Sequence, residues 1–276
     1  MRNISKILCG AALIGGAIVT PVRADDASLW AQDSHSEFRL IAGANKDGAA
    51  TLRAGVEIKM QPGWKTYWRY PGDSGEPPRF DFAGSENLGA AKVLYPAPHL
   101  FADEAGNSLG YKDTVTFPLQ VTPKQKGAPV KLTVKVDYAV CEKLCVPAQG
   151  TAALTLAPGL STQDDTLSAS EARVPKKVSA ADVGLTARRI DNAGKPSVMV
   201  DLKAAAGAPL DIFVEGPTRE WALPVPKPAS GAPAGHRQFS FELDGLPMGV
   251  DPKGQVDLTF TVVEPDRAVE VVTHLD

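Results

Sequence analysis

The segment from residue 130 to residue 138 constrains the fold of this chain most strongly. Its apolar and polar side chains alternate without a break, in the order Val-Lys-Leu-Thr-Val-Lys-Val-Asp-Tyr. Successive side chains of a β-strand point to opposite faces, so this period of two predicts a half-buried antiparallel strand. The segment runs into Cys141, and residues 151–156 form the next strand-like run. The sequence therefore predicts a β-hairpin whose connection, residues 139–150, contains the cysteines.

Short strand-like runs separated by turn residues recur along the rest of the chain. The 276 residues include 25 Gly and 23 Pro, which favours β-sandwiches or barrels over helical folds. Between residues 158 and 182 the alternation stops, and Ser, Asp, Ala and Lys dominate. We therefore predict an all-β protein with a first sandwich over residues 25–157, a linker over residues 158–182 and a second β-sandwich domain over residues 183–276.

The first 24 residues have the pattern of a secretory signal peptide. Arg2 and Lys6 provide a basic start, an apolar run follows, and small residues precede a cleavage site after Ala24. Cleavage would remove Cys9 with the peptide. The remaining chain has 26 basic and 32 acidic residues, a formal charge of −6, which disfavours a nucleic-acid partner.

The sequence after the signal peptide lacks the apolar run of 18 or more residues that a membrane span needs. We therefore expect a protein that is soluble after cleavage. Its two remaining cysteines suit an oxidising compartment, and we predict the bacterial periplasm.

Those two cysteines, Cys141 and Cys145, are separated by only three residues. A disulfide between them closes a very small ring, and the loss of loop entropy then contributes only about 2 kcal/mol of stability. This spacing suits a bond that is opened and closed by exchange, because the second sulfur stays near enough to resolve a mixed disulfide.

Other interpretations of the cysteine pair remain open. In an exported protein it can be a static structural disulfide, for example in an adhesion-type β-sandwich. A close pair can also bind Cu(I), although no histidine lies near it in the sequence. Cysteine-protease chemistry lacks the neighbouring histidine base. For the exchange function we predict no metal ion and no cofactor.

The segment over residues 64–70 is rich in aromatic side chains and also alternates. Trp64 and Trp68 share one face of the predicted strand, and Tyr67 lies on the other. We interpret these aromatics as packing of a sandwich core and its edge rather than as a binding surface.

Three short motifs near the predicted hairpin carry a resemblance to a known family. They are Gly110-Tyr111-Lys112-Asp113-Thr114-Val115-Thr116-Phe117-Pro118, Tyr138-Ala139-Val140-Cys141 and Cys145-Val146-Pro147. These motifs resemble the N-terminal periplasmic domain of the DsbD thiol:disulfide interchange proteins. The related domains of ScsB-type proteins look closer still. The resemblance covers roughly residues 37–156.

The resemblance implies an immunoglobulin-like β-sandwich with an inserted cysteine hairpin and an activity of the protein-disulfide reductase type. Family members take electrons from a membrane-embedded donor of the DsbD or CcdA kind, through a thioredoxin-like domain. They pass them to periplasmic thioredoxin-fold acceptors, including those of cytochrome c maturation. By position, Cys145 would be the more exposed sulfur that reacts with partners, and Cys141 would resolve the mixed disulfide.

The resemblance also implies supporting residues. Tyr138 and Pro147 flank the cysteines within the matching motifs. The best-known members space their cysteines more widely than this chain does. They also carry membrane helices that the sequence up to Asp276 does not show, so we expect the electron donor to be a separate protein.

We also expect a cap over the cysteines. The sequence predicts a long irregular, lid-like stretch over residues 96–112. Within it, Asp103 and Glu104 match the acidic pair of the family's cap loop. The capping aromatic of the family falls at Ala105 here, so Phe101 is the candidate replacement.

Overall fold

The computed structural model describes residues 25–103, 106–192, 194–205, 207 and 209–276 of the chain. Regular structure in this part is almost entirely β-strand, arranged in four mainly antiparallel sheets with two short helices. The all-β prediction is therefore confirmed. The predicted signal peptide, residues 1–24, lies outside the described residues.

The described strands between residues 31 and 156 form two sheets that pack on one core. In chain order they are β1 (Ala31–Asp33), β2 (Ser36–Ala42), β3 (Leu52–Met60), β4 (Lys65–Gly72), β5 (Arg79–Asp81), β6 (Leu88–Val93), β7 (His99–Asp103), β8 (Gly106–Lys112), β9 (Thr114–Pro123), β10 (Val130–Cys141) and β11 (Cys145–Leu156). One sheet has the order β1-β2-β3-β9-β6. The other has the order β11-β10-β4-β8-β7, with β5 beside β10.

Strand β10 illustrates why this sequence forms a sandwich. Its Val130, Leu132, Val134 and Val136 are fully buried, whereas the lysines between them face solvent. Burying each such apolar side chain contributes about 1.5–3 kcal/mol. β10 pairs with β11 along its whole length, so the predicted hairpin is confirmed, and its strands extend to the cysteines themselves.

The stretch over residues 96–112 contains two paired strands, so the prediction that it is irregular is wrong. Strands β7 and β8 pair antiparallel, and Leu109 and Tyr111 of β8 are buried in the core. A Cβ atom at Gly110 would lie 2.0 Å from the carbonyl oxygen of Thr66 on β4. This glycine therefore allows two strands to approach closely. In the sequence alone, the same glycine is typical of a loop.

The described elements after residue 160 begin with a helix and form two further sheets. They are α1 (Asp164–Ala172), β12 (Lys176–Lys177), α2 (Ala180–Val183), β13 (Leu185–Asn192), β14 (Lys195–Lys203), β15 (Asp211–Glu215), β16 (Lys227–Ala229), β17 (His236–Glu242), β18 (Val256–Val263) and β19 (Ala268–Leu275). The sheet orders are β12-β19-β18-β15 and β13-β14-β17-β16, and both contribute to a second buried core. Within the described ranges, no helix has the length and hydropathy to cross a membrane.

Helix α1 lies in the segment predicted as a linker, yet it packs on the first pair of sheets. Its Leu167 is fully buried, and a Cβ atom at Gly55 of β3 would lie 3.1 Å from that side chain. Arg53 of β3 forms ion pairs of 2.6 Å with Asp164 and 2.7 Å with Glu171. The helix is therefore attached to the first sandwich. The domain boundaries themselves stay a prediction.

The two pairs of sheets meet in an apolar contact. Phe213 of β15 and Val225 belong to the buried core of the first sandwich. The ring centre of Phe213 lies 6.2 Å from that of Trp68 on β4. The second pair of sheets is thus packed against the strand whose opposite end borders Cys141.

Candidate functional site

The cysteine pair closes the end of the β10–β11 hairpin. Cys141 is the last residue of β10, Cys145 is the first of β11, and the two are paired across the hairpin. Their sulfurs form a disulfide, and their Cα atoms are 4.1 Å apart. Glu142, Lys143 and Leu144 make the turn and are exposed. Two paired strands therefore hold a small disulfide ring at the end of the sandwich.

The two cysteines differ in exposure. Cys141 is 2% exposed and belongs to a small buried cluster with Tyr67 and Ala139. Cys145 is exposed to solvent. Disulfide exchange proceeds by attack of an incoming thiolate on one sulfur of the bond. Of the two cysteines, Cys145 is therefore the one that a partner can reach from solvent.

The side chain of Tyr67 is a polar partner of both sulfurs. Its hydroxyl oxygen lies 2.9 Å from the Sγ of Cys141 and 3.1 Å from the Sγ of Cys145. A disulfide carries no proton, so the hydroxyl is the donor in the oxidised state. After reduction the same donor can stabilise a thiolate, and hydrogen bonds to charged groups contribute about 1.5–3 kcal/mol.

Strand β4 places this hydroxyl group beside the hairpin. It pairs antiparallel with β10, with Thr66 opposite Val140 and Lys65 opposite Cys141. Thr66 is fully buried, and its hydroxyl donates to the carbonyl oxygen of Ala139 at 2.8 Å. This bond fixes the end of β4 against the residues that precede the disulfide.

The sequence does not identify Tyr67 as a site residue. The interpretation of the aromatic segment as core packing holds for Trp68, which is fully buried in the core of the first sandwich. The one available signal is the alternation, which places Tyr67 on the opposite face from Trp68. It does not show which strand lies beside β4, and that neighbour is what brings Tyr67 to the sulfurs.

The chain that follows β4 covers the ring of Tyr67. Gly75 has a φ of +128°, and a Cβ atom at this position would lie 2.3 Å from the Tyr67 ring. Glycine is favoured here both by the backbone conformation and by the lack of space. This segment therefore packs against the side chain whose hydroxyl contacts both sulfurs.

Phe101, the candidate for a capping aromatic, lies on β7, which β4 and β8 separate from β10. The ammonium group of Lys65 lies 5.4 Å from the centre of the Phe101 ring and donates to the Ser108 hydroxyl at 2.9 Å. Lys65 is paired with Cys141 across the strands. The structure thus brings Phe101 to the lysine beside Cys141.

The other predicted supporting residues have separate environments. Tyr138 is buried, and its hydroxyl forms a 2.8 Å hydrogen bond with the Ser36 hydroxyl. Burial raises the pKa of Tyr138. Pro147 is exposed on β11. Only the backbone of Asp103 is described, at the end of β7, and Glu104 lies outside the described residues, as does the neighbouring alanine.

A groove with a volume of about 730 Å³ opens beside Cys145. Its charged lining comes from Asp33, Glu76, Arg79 and Asp137. Asp33 accepts a 2.8 Å hydrogen bond from the backbone N–H of Gln149 on the edge strand β11. Partial burial acts to raise the pKa of Asp33, but backbone hydrogen bonds from Gln149 and Ser34 outweigh it, and the pKa is lowered. Cys145 therefore borders a groove whose lining includes charged side chains of both signs.

A family model matches the part of the chain that contains this site. Residues 32–157 match the model described as "Thiol:disulfide interchange protein DsbD, N-terminal". These residues are therefore similar to the DsbD N-terminal family. The resemblance stated from the sequence is thereby confirmed. Both cysteines and Tyr67 fall inside this DsbD N-terminal segment, whereas strands β12–β19 lie beyond it.

One solved structure has a similar fold over nearly the whole chain. The N-terminal periplasmic domain of ScsB from Proteus mirabilis matches with a TM-score of 0.70 at 18% identity, covering 91% of this chain and 99% of that chain. This likeness confirms the predicted fold class. The CupB6 tip adhesin from Pseudomonas aeruginosa covers 92% of this chain and 99% of its own at 10% identity. Its TM-score is 0.17, so it carries no argument. No curated protein sequence gives a significant match.

The DsbD N-terminal segment offers a disulfide as its reactive group. Its match is to a module of thiol:disulfide interchange proteins, and it contains the Cys141–Cys145 disulfide. Across the described ranges, no group of three or more His, Cys, Asp or Glu side chains is arranged to hold a metal ion. The arrangement can accept a thiolate at Cys145 and release one at Cys141 beside the Tyr67 hydroxyl.

Proposed function

We propose that this chain passes electrons between proteins by thiol–disulfide exchange through Cys141 and Cys145. The observation that carries the proposal is the unequal exposure of the two cysteines within the DsbD N-terminal segment. A disulfide that only closed the hairpin would need no exposed sulfur. An exchange site needs one accessible sulfur for the partner and a second, protected sulfur to complete the reaction.

The first half-reaction reduces the pair. A thiolate of the electron donor attacks the Sγ of Cys145, and a bond between the two proteins forms as the Cys141–Cys145 bond breaks. The electron pair of the broken bond goes to the Cys141 sulfur, which leaves as a thiolate and then takes up a proton. The second thiol of the donor loses its proton and attacks the donor's first sulfur, which releases Cys145 as a thiolate.

The second half-reaction reduces the acceptor. The Cys145 thiolate attacks the acceptor's disulfide and forms a mixed disulfide, while one acceptor sulfur leaves as a thiolate. Cys141 then loses its proton and attacks Cys145, which restores the internal disulfide and releases the acceptor with two thiols. The two acceptor thiolates take up protons, and the two donor thiols lose them, so each cycle moves two electrons and two protons from donor to acceptor, and no cofactor is required.

Tyr67 assists both half-reactions in this proposal. Its hydroxyl lies 2.9 Å from the Cys141 sulfur, where donation stabilises the thiolate that leaves in the first half-reaction. Its 3.1 Å contact with Cys145 allows the same stabilisation of the attacking thiolate in the second. A stabilised thiolate is present in a larger fraction at neutral pH, and the thiolate is the reactive form.

The family resemblance supports a direction of electron flow and a class of partners for this proposal. The donor is a membrane-embedded DsbD- or CcdA-like reductase, or its thioredoxin-like domain. The acceptors are periplasmic thioredoxin-fold proteins, such as those of cytochrome c maturation. Removal of residues 1–24 would release the chain into the periplasm. The chain then acts as one component of a protein-disulfide reductase, with residues 183–276 as a second domain.

Trapping of mixed disulfides tests this function. The reduced Cys141→Ser variant is incubated with a panel of oxidised periplasmic thioredoxin-fold proteins, and non-reducing gels detect covalent complexes. A complex is expected to accumulate, because no thiol at position 141 can resolve it. The Cys145→Ser variant is the matched control and should form none, because its remaining thiol is buried. Equal trapping by both variants, or none by either, would overturn the proposal.

A further inference from the structure

Strand β4 contains a large bulge beside the site. Tyr67 pairs with Gly110 of β8, but the next registered pair joins Gly72 to Ser108. The four β4 residues 68–71 therefore lie opposite a single residue of β8. Bulges redirect side chains and are frequent next to active sites. This bulge begins directly after the residue that contacts both sulfurs.

The aromatic side chains of the bulge are anchored in the second pair of sheets. Trp68 is fully buried, and its ring centre lies 6.2 Å from that of Phe213 on β15. The Tyr70 hydroxyl donates a hydrogen bond to the carbonyl oxygen of Leu223. Both contacts are buried, so the bulge and the second pair of sheets are packed as a continuous interior.

Arg69 adds an ion cluster between these two aromatics. Its guanidinium group binds both carboxylate oxygens of Glu215 on β15, with a shortest distance of 2.6 Å. It also donates to Glu270 on β19 at 2.6 Å, and it stacks 4.6 Å from the centre of the Trp68 ring. A planar guanidinium held by two carboxylates has a defined orientation, which a lysine could not reproduce.

Tyr67 is consequently held from several sides. Gly110 of β8 pairs with it, Gly75 lies against its ring, and the anchored bulge continues directly from its backbone. Hydrogen bonds weaken steeply as their distance and angle depart from the optimum. A small shift of the bulge would therefore change the contacts between the Tyr67 hydroxyl and the sulfurs.

We infer that the second pair of sheets sets the reactivity of the disulfide, by holding the β4 bulge so that Tyr67 reaches both sulfurs. Arg69, clamped by Glu215 and Glu270, is the positioning residue of this arrangement. The inference rests on the proposed exchange function for its biological meaning, but its structural content concerns the coupling between Arg69 and Tyr67. It gives residues 183–276 a role in the chemistry, although they contain no cysteine.

A double-mutant cycle tests the coupling. Arg69→Gln and Glu215→Gln are each made in the native chain and in a Tyr67→Phe background. The measured quantities are the reduction potential of the cysteine pair and the pH profile of Cys145 alkylation in the reduced protein. In the native background both variants should slow alkylation at pH 7 about three- to tenfold, in the same direction as Tyr67→Phe. In the Tyr67→Phe background neither should have a further effect.

Two outcomes would overturn the inference. The first is an unchanged potential and pH profile in folded Arg69→Gln protein. The second is opposite shifts for Arg69→Gln and Glu215→Gln that persist in the Tyr67→Phe background, because these would indicate a direct effect of charge rather than positioning.

Arg53→Gln is the matched control. Arg53 is likewise bound by two carboxylates, those of Asp164 and Glu171, but it lies on β3 in the other sheet. This variant should lose stability and leave the reduction potential unchanged.

Tyr70→Phe takes the place of Arg69→Gln in the cycle if Arg69→Gln fails to fold. It removes a single hydrogen bond of the same bulge. Partner trapping by Cys141→Ser tests the exchange function separately. The exchange function and the coupling between Arg69 and Tyr67 can therefore be refuted independently.

Discussion

The hydroxyl of Tyr67 lies 2.9 Å from the sulfur of Cys141, and both residues are 2% exposed. This contact connects the centre of a sheet to a disulfide at its end. It supplies a hydrogen-bond donor to a sulfur that solvent hardly reaches. Such a donor favours the thiolate form of a cysteine, and the balance between thiol, thiolate and disulfide determines how readily the pair exchanges.

Replacing Tyr67 by phenylalanine should make the disulfide harder to reduce. The ring and its contact with Gly75 remain, but the reduced state loses the donor that stabilises its thiolate. We expect the reduction potential to become more negative by about 30 mV, which corresponds to about 1.4 kcal/mol for a two-electron couple. Equilibration in glutathione buffers measures this shift. An unchanged potential in the folded variant would exclude the hydroxyl from the chemistry.

Substitution of Gly75 by alanine should disturb the same contact from the other side. The added Cβ atom would lie 2.3 Å from the Tyr67 ring, at a residue with a φ of +128°. We expect a loss of stability of about 2–4 kcal/mol together with slower alkylation of Cys145 at pH 7, in the same direction as Tyr67→Phe. Gly84→Ala is the control, because Gly84 has a φ of +84° but open space around it. Equal losses of stability in both variants would mean that backbone strain alone, and not the contact with Tyr67, destabilises the Gly75→Ala protein.

Part of this site could be predicted from the sequence. The alternation before Cys141 specifies a strand, and the short spacing to Cys145 places both sulfurs in one tight turn. Tyr67 could not be identified in this way, because its role depends on β4 lying beside β10, a contact between residues far apart in sequence. The paired strands within residues 96–112 could not be predicted from the sequence for a related reason. Gly110 serves a close approach of strands that only the sheet order reveals.

The segment after the first sandwich gives a stability prediction. Leu167 of α1 is fully buried against the first sandwich, so Leu167→Ala should lower the free energy of unfolding by about 2–5 kcal/mol. Leu160 is 85% exposed, and Leu160→Ala should change it by less than about 0.5 kcal/mol. Urea unfolding compares the two variants. A small effect at Leu167 would show that residues 158–182 act only as a linker.

The packing of this helix also shows a limit of pattern analysis. The composition of residues 158–182 is polar, with one leucine facing the sheet in the middle of the helix. A single buried anchor produces no recognisable period. Its effect depends on Gly55 leaving room for it on β3, which the helix sequence cannot indicate.

His99 at the start of β7 should give a pH dependence with a defined sign. Burial, and then the nearby Arg173 guanidinium, lower the pKa of His99. Its neutral Nε2 accepts a 3.1 Å hydrogen bond from Arg173. Between about pH 6.5 and the lowered pKa, the unfolded chain binds more protons than the folded one. The stability from His99 is therefore present above pH 6.5 and is lost as the pH falls through the lowered pKa.

An NMR titration of the histidines checks this prediction within one sample. His99 should titrate below about 6.5, whereas the hydrogen bond that His274 donates to Asp257 raises the pKa of His274. Arg173→Gln should bring the pKa of His99 back towards its ordinary value. A pKa of His99 higher than that of His274 would contradict the contact between His99 and Arg173.

The reduction potential of the Cys141–Cys145 pair is the most direct measurement for the whole account. The protein lacking residues 1–24 is equilibrated in glutathione and dithiothreitol buffers, and the fraction of free thiols is determined. An exchange-active pair should have a potential between about −200 and −270 mV, where thiol–disulfide exchange proteins lie. A potential below about −300 mV would contradict the account, because the disulfide would then be a static structural bond.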